Sequence, residues 1–504
     1  MRETKLINLN RFFDGKVLWL SIMAIALFVR FFYLDALSLR LDEAQSVWQA
    51  SHSLEFIKTY MLKNVHLPLH NSLLHMWLRI FGSSEISVRV MSAIPGLLTV
   101  PALYLLSKEI IGRKRSLLTM LFGALSPIWV WYSREIRMYT LLIFITTLSY
   151  LFFIKILKYN RPRYYVWYTA VNIIGIYTHY FFSLVLLVQA LFFLISFLDR
   201  KIKWSSDDVY DKRKQLLGLS LCAITVMGTF APWLYMLYSS YGSGTLAPVL
   251  ARPTTFNVIL SYFEFTSGFL PDVLTSLAIS FWPVIILFGF VFLTKRQNPF
   301  SPGILLALMG ATLPVFIIYF ASVLIKPMYL TRYLITVTPM YYILLAWYFT
   351  EIQGKLRVIL TTIFISTLLL SLYLQATHPD NPVRENYREA VAYLNENTNS
   401  RDIIILAPPY TIYPFQYYYE GTAKVSTMPI WDKKKGGIPE FNEDRMANDV
   451  KSLQATHKRM FLLLTTNLEN SDKVKAYFDE HYTKLDKIKF SKDVWLEVYQ
   501  AEYQ

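Results

Sequence analysis

A chain of 504 residues that is 54% hydrophobic and 16% aromatic is too apolar for a set of soluble domains, in which about 45–50% of residues are apolar. The net charge of +15 would suit a nucleic-acid binder, but the basic residues cluster in short gaps between apolar runs, where membrane topology puts them. A single cysteine, Cys222, excludes an internal disulfide framework and a cysteine-based metal site.

In chain order, apolar periodicity predicts spanning helices at 17–34, 86–107, 116–132, 139–157, 164–178, 181–198, 216–238, 276–294, 302–325, 333–350 and 356–374, eleven in all. The first is long and has no small-x-small exit, so it is expected to stay as an anchor rather than to be cleaved. The stretch LHNSLLHMWLRIFG at 69–82 would rise only roughly 21 Å against a ~30 Å hydrocarbon core, and is expected to be tilted or half-inserted.

With that stretch not spanning, the basic segments GRKR (112–115), KYNRPR (158–163), DRKIK with DKRK (199–214), TKRQ and GKLR share the side of the basic N-terminus. That side is then the cytoplasm. The outer side receives the loop LRLDEAQSVW, the turns SREIRMY and THYF, the segments 240–275 and KPMYLTRY, and everything after 375.

From 376 the composition becomes globular. Helix patterns at YREAVAYLNEN, EDRMANDVKSLQ and DKVKAYFDEHY alternate with strand patterns at DIIILAP, AKVSTM, RMFLLLT and a final pair ending VWLEVYQ. This predicts a small α/β domain with a mostly parallel sheet and, lacking a Gly-rich phosphate loop, no nucleotide site. The expected architecture is a polytopic α-helical membrane module at 1–375 with interfacial helices, followed by an outer α/β domain at 376–504.

Polar residues on the outer side are the candidates for chemistry. Asp42 followed by Gln45 fits a variant capping box, with Val47, Trp48, Leu54, Ile57 and Met61 on roughly one helical face, so Asp42 and Glu43 read either as a helix start or as reactive carboxylates. Glu135, between Arg134 and Arg137, reads either as a salt-bridged turn or as a functional acid. His66, His70 and His179 fall on the same side. A carboxylate with His66 or His179 would suit a divalent metal, although no fixed ligand spacing is present. In KPMYLTRY, Lys326 and Arg332 beside Tyr329 and Tyr333 form a cationic cluster that calls for an anion, phosphate being the obvious one.

The order LDEAQSVW, HLPLHNSLLHMW, WVWYSREIRMYTLL, YTHYFF and MYLTRY resembles the GT-C membrane glycosyltransferases of the protein-mannosyltransferase-like group, glycosyltransferase family 39 and its bacterial aminoarabinose-transferase relatives. The similarity is dense over about 17–200 and looser beyond. The family shows a DE pair, HPPL and YSQEARMY. Here Leu67 replaces the first proline, Arg134 the glutamine and Ile136 the alanine, while His66, Glu135, Arg137 and Tyr139 are kept.

The resemblance implies inverting transfer of a hexose or pentose from a polyprenyl-phosphate carrier to a lipid, glycan or protein acceptor at the outer face. It implies Asp42 as general base, with Glu43 and Glu135 orienting or positioning, and Lys326, Arg332, Arg137 and Tyr329 on the donor phosphate. A transporter or flippase of lipid-linked sugars is the rival reading. Transporter sites lie near the bilayer midplane on interrupted, repeated helices, whereas the charged positions here lie at helix ends on one face.

Overall fold

The structure, a computed structural model, describes residues 15–64, 66–199, 202, 212–240, 250–270, 301–378, 385–434, 441–454, 457–466 and 470–503. Its helices, in chain order, are α1 (Gly15–Phe31), α2 (Leu41–Ala50), α3 (Leu54–Lys63), α4 (Leu69–Phe81), α5 (Glu85–Ile111), α6 (Arg113–Leu125), α7 (Pro127–Ser133), α8 (Tyr139–Tyr159), α9 (Pro162–Thr178) and α10 (Phe182–Leu198). Then come α11 (Lys212–Ser240), α12 (Thr255–Ser267), α13 (Pro302–Leu324), a 3-10 turn (Thr331–Val337), α14 (Thr338–Glu351) and α15 (Gly354–Thr377). The tail holds α16 (Tyr387–Asn397), α17 (Ile412–Tyr418), α18 (Glu443–Gln454) and α19 (Ser471–His481) among five strands.

Five of these helices, α5, α8, α11, α13 and α15, are long and apolar enough to cross a membrane, and α6 with α7 makes a sixth if the bent pair is one span. The expected span at 276–294 lies outside the described residues. Every other expected span coincides with a helix or, at 116–132 and 333–350, with a broken pair. The break at 126 follows from Pro127. Proline at the first helical position has no N–H to continue the ladder and drives the preceding Ser126 out of helical geometry, to ψ 115°. The two pieces meet at 53°, and the Ser126 hydroxyl accepts from the Trp129 N–H at 3.3 Å, restarting the helix.

The chain divides into two compact units. One comprises Met1–Phe32, Arg89–Tyr238 and Pro248–His378; the other comprises Tyr33–Val88, Ser239–Ala247 and Pro379–Gln504. Residues 33–88 thus group with the tail, where the sequence reading had placed them in the membrane module.

In the first unit, two arginines lock helix ends reciprocally. Arg30, fully buried near the end of α1, donates to the carbonyls of Gly123 and Ala124 at 2.9 Å each, groups that the end of α6 leaves without intrahelical partners. Arg134, just after α7, donates back to the carbonyls of Val29 and Phe32 at 2.7 and 2.9 Å, capping α1. Beneath them Ile22, Ala26, Val100, Met120 and Ala124 form one apolar cluster.

In the second unit, β1 (Asp402–Ala407), β2 (Lys424–Thr427), β3 (Arg459–Thr465), β4 (Tyr482–Lys489) and β5 (Val494–Tyr503) form a sheet in the order β2-β1-β3-β5-β4. The β2-β1-β3 half is parallel and the β3-β5-β4 half antiparallel, so the expected mostly parallel sheet is mixed. The cause is local. β4 and β5 are separated by four residues, enough for a hairpin but far short of the dozen or so that a parallel crossover needs.

Candidate functional site

The residues singled out in the sequence divide between the two units. Asp42, Glu43, His66 and His70 belong to the second; Glu135, Arg137, His179, Lys326, Tyr329 and Arg332 belong to the first.

In the second unit, α2 starts two residues earlier than the Asp42 capping box would require. Arg40 is the residue before the helix, and its N–H donates to the Glu43 carboxylate at 3.0 Å. Glu43, 1% exposed, is therefore the acid that closes the first turn. Asp42 is half-buried in that same turn, where the helix dipole favours a negative charge. The cap expected at Asp42 thus belongs to Glu43, and the paired carboxylates separate into a structural member and an accessible one.

The sequence reading missed the group that holds this helix start. The Glu385 carboxylate accepts from the N–H of Leu41 at 2.9 Å and lies 3.4 Å from Arg40 Nε, while its backbone carbonyl accepts from the Ser38 hydroxyl. Burial pushes the Glu385 carboxyl above its ordinary value; Arg40 and the Leu41 N–H pull it back, and Asp42 and Glu43 raise it further. Arg388 donates to the carbonyl of Asp35 at 2.9 Å and to the Glu85 carboxylate at 3.1 Å, and the Tyr418 hydroxyl donates to the same carboxylate at 2.6 Å. The loop carrying Asp42 is thus pinned by tail residues more than 300 positions away in sequence, a separation at which no spacing motif operates.

The histidines here differ. His66 is exposed just ahead of α4. His70 is buried, its Nδ1 3.2 Å from Asn71 Oδ1, and Asn71 in turn donates to Gln49 at 2.6 Å, so it ties α4 to α2. Leu67, the departure from the family's proline, is buried.

In the first unit, the YSREIRMY segment makes a tight turn from α7 into α8, with the Arg137 N–H donating to the Glu135 carbonyl at 2.8 Å. Glu135 is 5% exposed and Ile136 fully buried. Gly96 in α5 admits the end of α7. A side chain there would place its Cβ 2.2 Å from the Ser133 hydroxyl, nearer than atoms can approach.

From this turn a run of aromatic rings leads to the basic segment. Tyr132 and Tyr139 stand 4.6 Å apart, Tyr139 is 6.5 Å from His179, His179 is 5.3 Å from Tyr333, and the Arg332 guanidinium is 5.6 Å from the Tyr333 ring. Thr331, next to Arg332, has its hydroxyl 2.9 Å from that of Ser261 on α12, the helix that also carries a further acid, Glu264. Glu135, His179 and Arg332 therefore share one neighbourhood, and α12 brings Glu264, which pattern reading passes over, toward them. It sits in α12 within an apolar stretch, YFEFTSGF, and that lone acid was the available signal.

His179 Nδ1 accepts from the Phe181 N–H at 3.1 Å, which leaves the proton on Nε2 and makes that nitrogen a donor suited to an anion. The other two residues of the basic segment sit differently. Lys326 is exposed at the end of α13, and the hydroxyl of buried Tyr329 is 2.8 Å from Ser261 Oγ. Among the described residues no three His, Cys, Asp or Glu side chains gather as a metal site would require.

Comparisons with known proteins agree with this fold. The family described as dolichyl-phosphate-mannose-protein mannosyltransferase matches residues 65–236. The chain is similar in structure to ArnT from Cupriavidus metallidurans in the apo state, at 12% identity and a TM-score of 0.62, covering 97% of this chain and 99% of that one. It is similar to the same protein bound to undecaprenyl phosphate, at 13% identity and a TM-score of 0.60, covering 96% and 98%. The apo oligosaccharyltransferase of Archaeoglobus fulgidus aligns at 11% identity and a TM-score of 0.52 over 90% of this chain and 70% of that one. No curated protein matches the sequence.

Proposed function

We propose that this chain, which has the GT-C fold and the protein-mannosyltransferase pattern over residues 65–236, is a multi-pass membrane glycosyltransferase using a polyprenyl-phosphate sugar. The carrying observation is the gathering of Glu135, His179 and Arg332 in one neighbourhood, with Glu264 brought toward them by α12, a mixed acid and cation set fit to hold a sugar and a phosphate. The similar ArnT structure that binds undecaprenyl phosphate supports the choice of donor.

In this reading the donor phosphate is the leaving group. It needs its charge compensated rather than a proton. Arg332 supplies a rigid fork of donors, His179 Nε2–H a further donor, and Arg137 and Lys326 additional positive charge, while Tyr329 braces the segment through Ser261. Asp42 takes the proton of the acceptor hydroxyl as that oxygen attacks the anomeric carbon. The new C–O bond forms as the sugar–phosphate bond breaks, with inversion. Glu43 fixes the turn that carries Asp42, and Glu135 positions a sugar hydroxyl.

The N-terminus lies in the cytoplasm, and the soluble domain at 376–504 faces outward with Asp42, where lipid carriers rather than nucleotide sugars supply activated sugar. Purified protein in liposomes, given a radiolabelled polyprenyl-phosphate sugar and an envelope extract, is expected to move label from the carrier to an acceptor. A protein that carries the labelled lipid across the bilayer and leaves the sugar–phosphate bond intact is instead a flippase.

A further inference from the structure

The second unit contains a cavity of about 730 Å³, within the ~300–1,000 Å³ of small-ligand sites. One wall is a face of α2. Ala44, Val47, Trp48 and Ser51 line it at spacings of three and four residues. The rest comes from the start of α3, the end of α4 and α17.

The lining has a consistent chemistry. Tyr413 lies 5.2 Å from Trp48, giving an aromatic wall of the kind against which sugar rings pack. His52 Nδ1 lies 2.8 Å from the Trp48 carbonyl and His75 Nδ1 2.9 Å from the Ala50 carbonyl. A carbonyl can only accept, so both Nδ1 atoms carry a proton, and the two Nε2 atoms are left to face hydroxyl groups.

The charge is one-sided. Arg79 lines the cavity, and among the described residues no carboxylate does. Lys433 stands 4.7 Å from the Trp48 ring and 5.4 Å from the Tyr413 ring and donates to Gln416, which also lines the space. Burial, with Lys434 beside it, lowers the Lys433 ammonium to about 8, an effect that a neighbouring anion would reverse.

We propose that this cavity is a binding subsite for an acidic saccharide, a uronate-bearing stretch of the acceptor. It rests on the transferase reading only in assigning that saccharide to the acceptor. Trp48 is six residues after Asp42 on one helix, about 9 Å along its axis and on the opposite face, so the subsite would hold a stretch of the acceptor that reaches round the helix, rather than the sugar next to the reacting hydroxyl.

The test is calorimetric titration of the full chain in detergent micelles with a galacturonate tetramer and with neutral maltotetraose. The acidic tetramer is expected to bind at least about tenfold more tightly, Arg79→Glu to weaken it about tenfold or more, and Arg79→Lys to restore most of that loss. No binding of either sugar, equal binding of both, or an Arg79→Glu variant that binds like wild type overturns the proposal. The titration needs no donor. Tetramer binding with every polyprenyl-phosphate sugar left intact would sink the transferase reading and leave the subsite standing; transfer without tetramer binding would do the reverse.

Discussion

Adjacent carboxylates with nearly the same local sequence context take different roles because only one of them faces the backbone N–H that the helix start leaves over. Glu43→Ala removes the acceptor for the Arg40 N–H and is expected to cost about 1 kcal/mol of stability, within the range of lost caps; thermal melts in detergent check this. Glu385 makes a second prediction. Its carboxyl is raised above the usual 4.5, so the folded state binds the proton more readily than the unfolded one. That contribution is fully present below 4.5 and is lost as pH rises through the raised folded value. Glu385→Gln should flatten this part of the melting profile, and a profile unchanged by the substitution would show that Glu385 does not titrate there. The DE pair itself was legible in the sequence, but its division of labour was not: a capping box shifted by two residues is below the resolution of pattern reading.

At the scale of elements, the bend at Ser126 and the reciprocal caps of Arg30 and Arg134 position the YSREIRMY turn. Arg134 stands where the family has glutamine, and its two bonds to the end of α1 give the replacement a structural purpose. Arg134→Ala should lower stability by about 1.5–3 kcal/mol, the range of hydrogen bonds to a charged group, and Arg134→Gln, able to keep one bond, by less. Denaturation curves of the two variants separate these cases. The tail strands and the helices α16, α18 and α19 were legible because periodicity determines them locally, whereas the bend at 126, inside an expected single span at 116–132, and the short helix α17 were not read. The sheet's mixed order was only half so: the β4–β5 hairpin follows from a four-residue connection, whereas the pairing of β5 with β3 joins strands distant in sequence. Glu264 and Glu385 escaped for the same reason: each acquires its role through partners distant in sequence.

Across the whole molecule, each compact unit is held by its own polar network. In the second unit, fully buried Glu497 on β5 meets Lys484 at 2.9 Å, with Lys487 at 3.5 Å and Lys475 at 3.8 Å. Beside it, burial would raise the Asp479 carboxyl, yet hydrogen bonds from Lys475, Lys484 and Tyr499 hold it down to about 2. A lowered carboxyl contributes stability above its unfolded value of 3.8 that is lost as pH falls toward 2. Asp479→Asn should therefore make the acid unfolding of the full chain less steep in that window, read by intrinsic fluorescence.

The reading of the molecule as a transferase turns on Asp42. Single-turnover transfer from a radiolabelled polyprenyl-phosphate sugar should fall about 10²–10⁴-fold in Asp42→Asn, the usual contribution of a positioned general base, with donor binding and melting temperature close to wild type. Asp42→Asn turning over at the wild-type rate would contradict it.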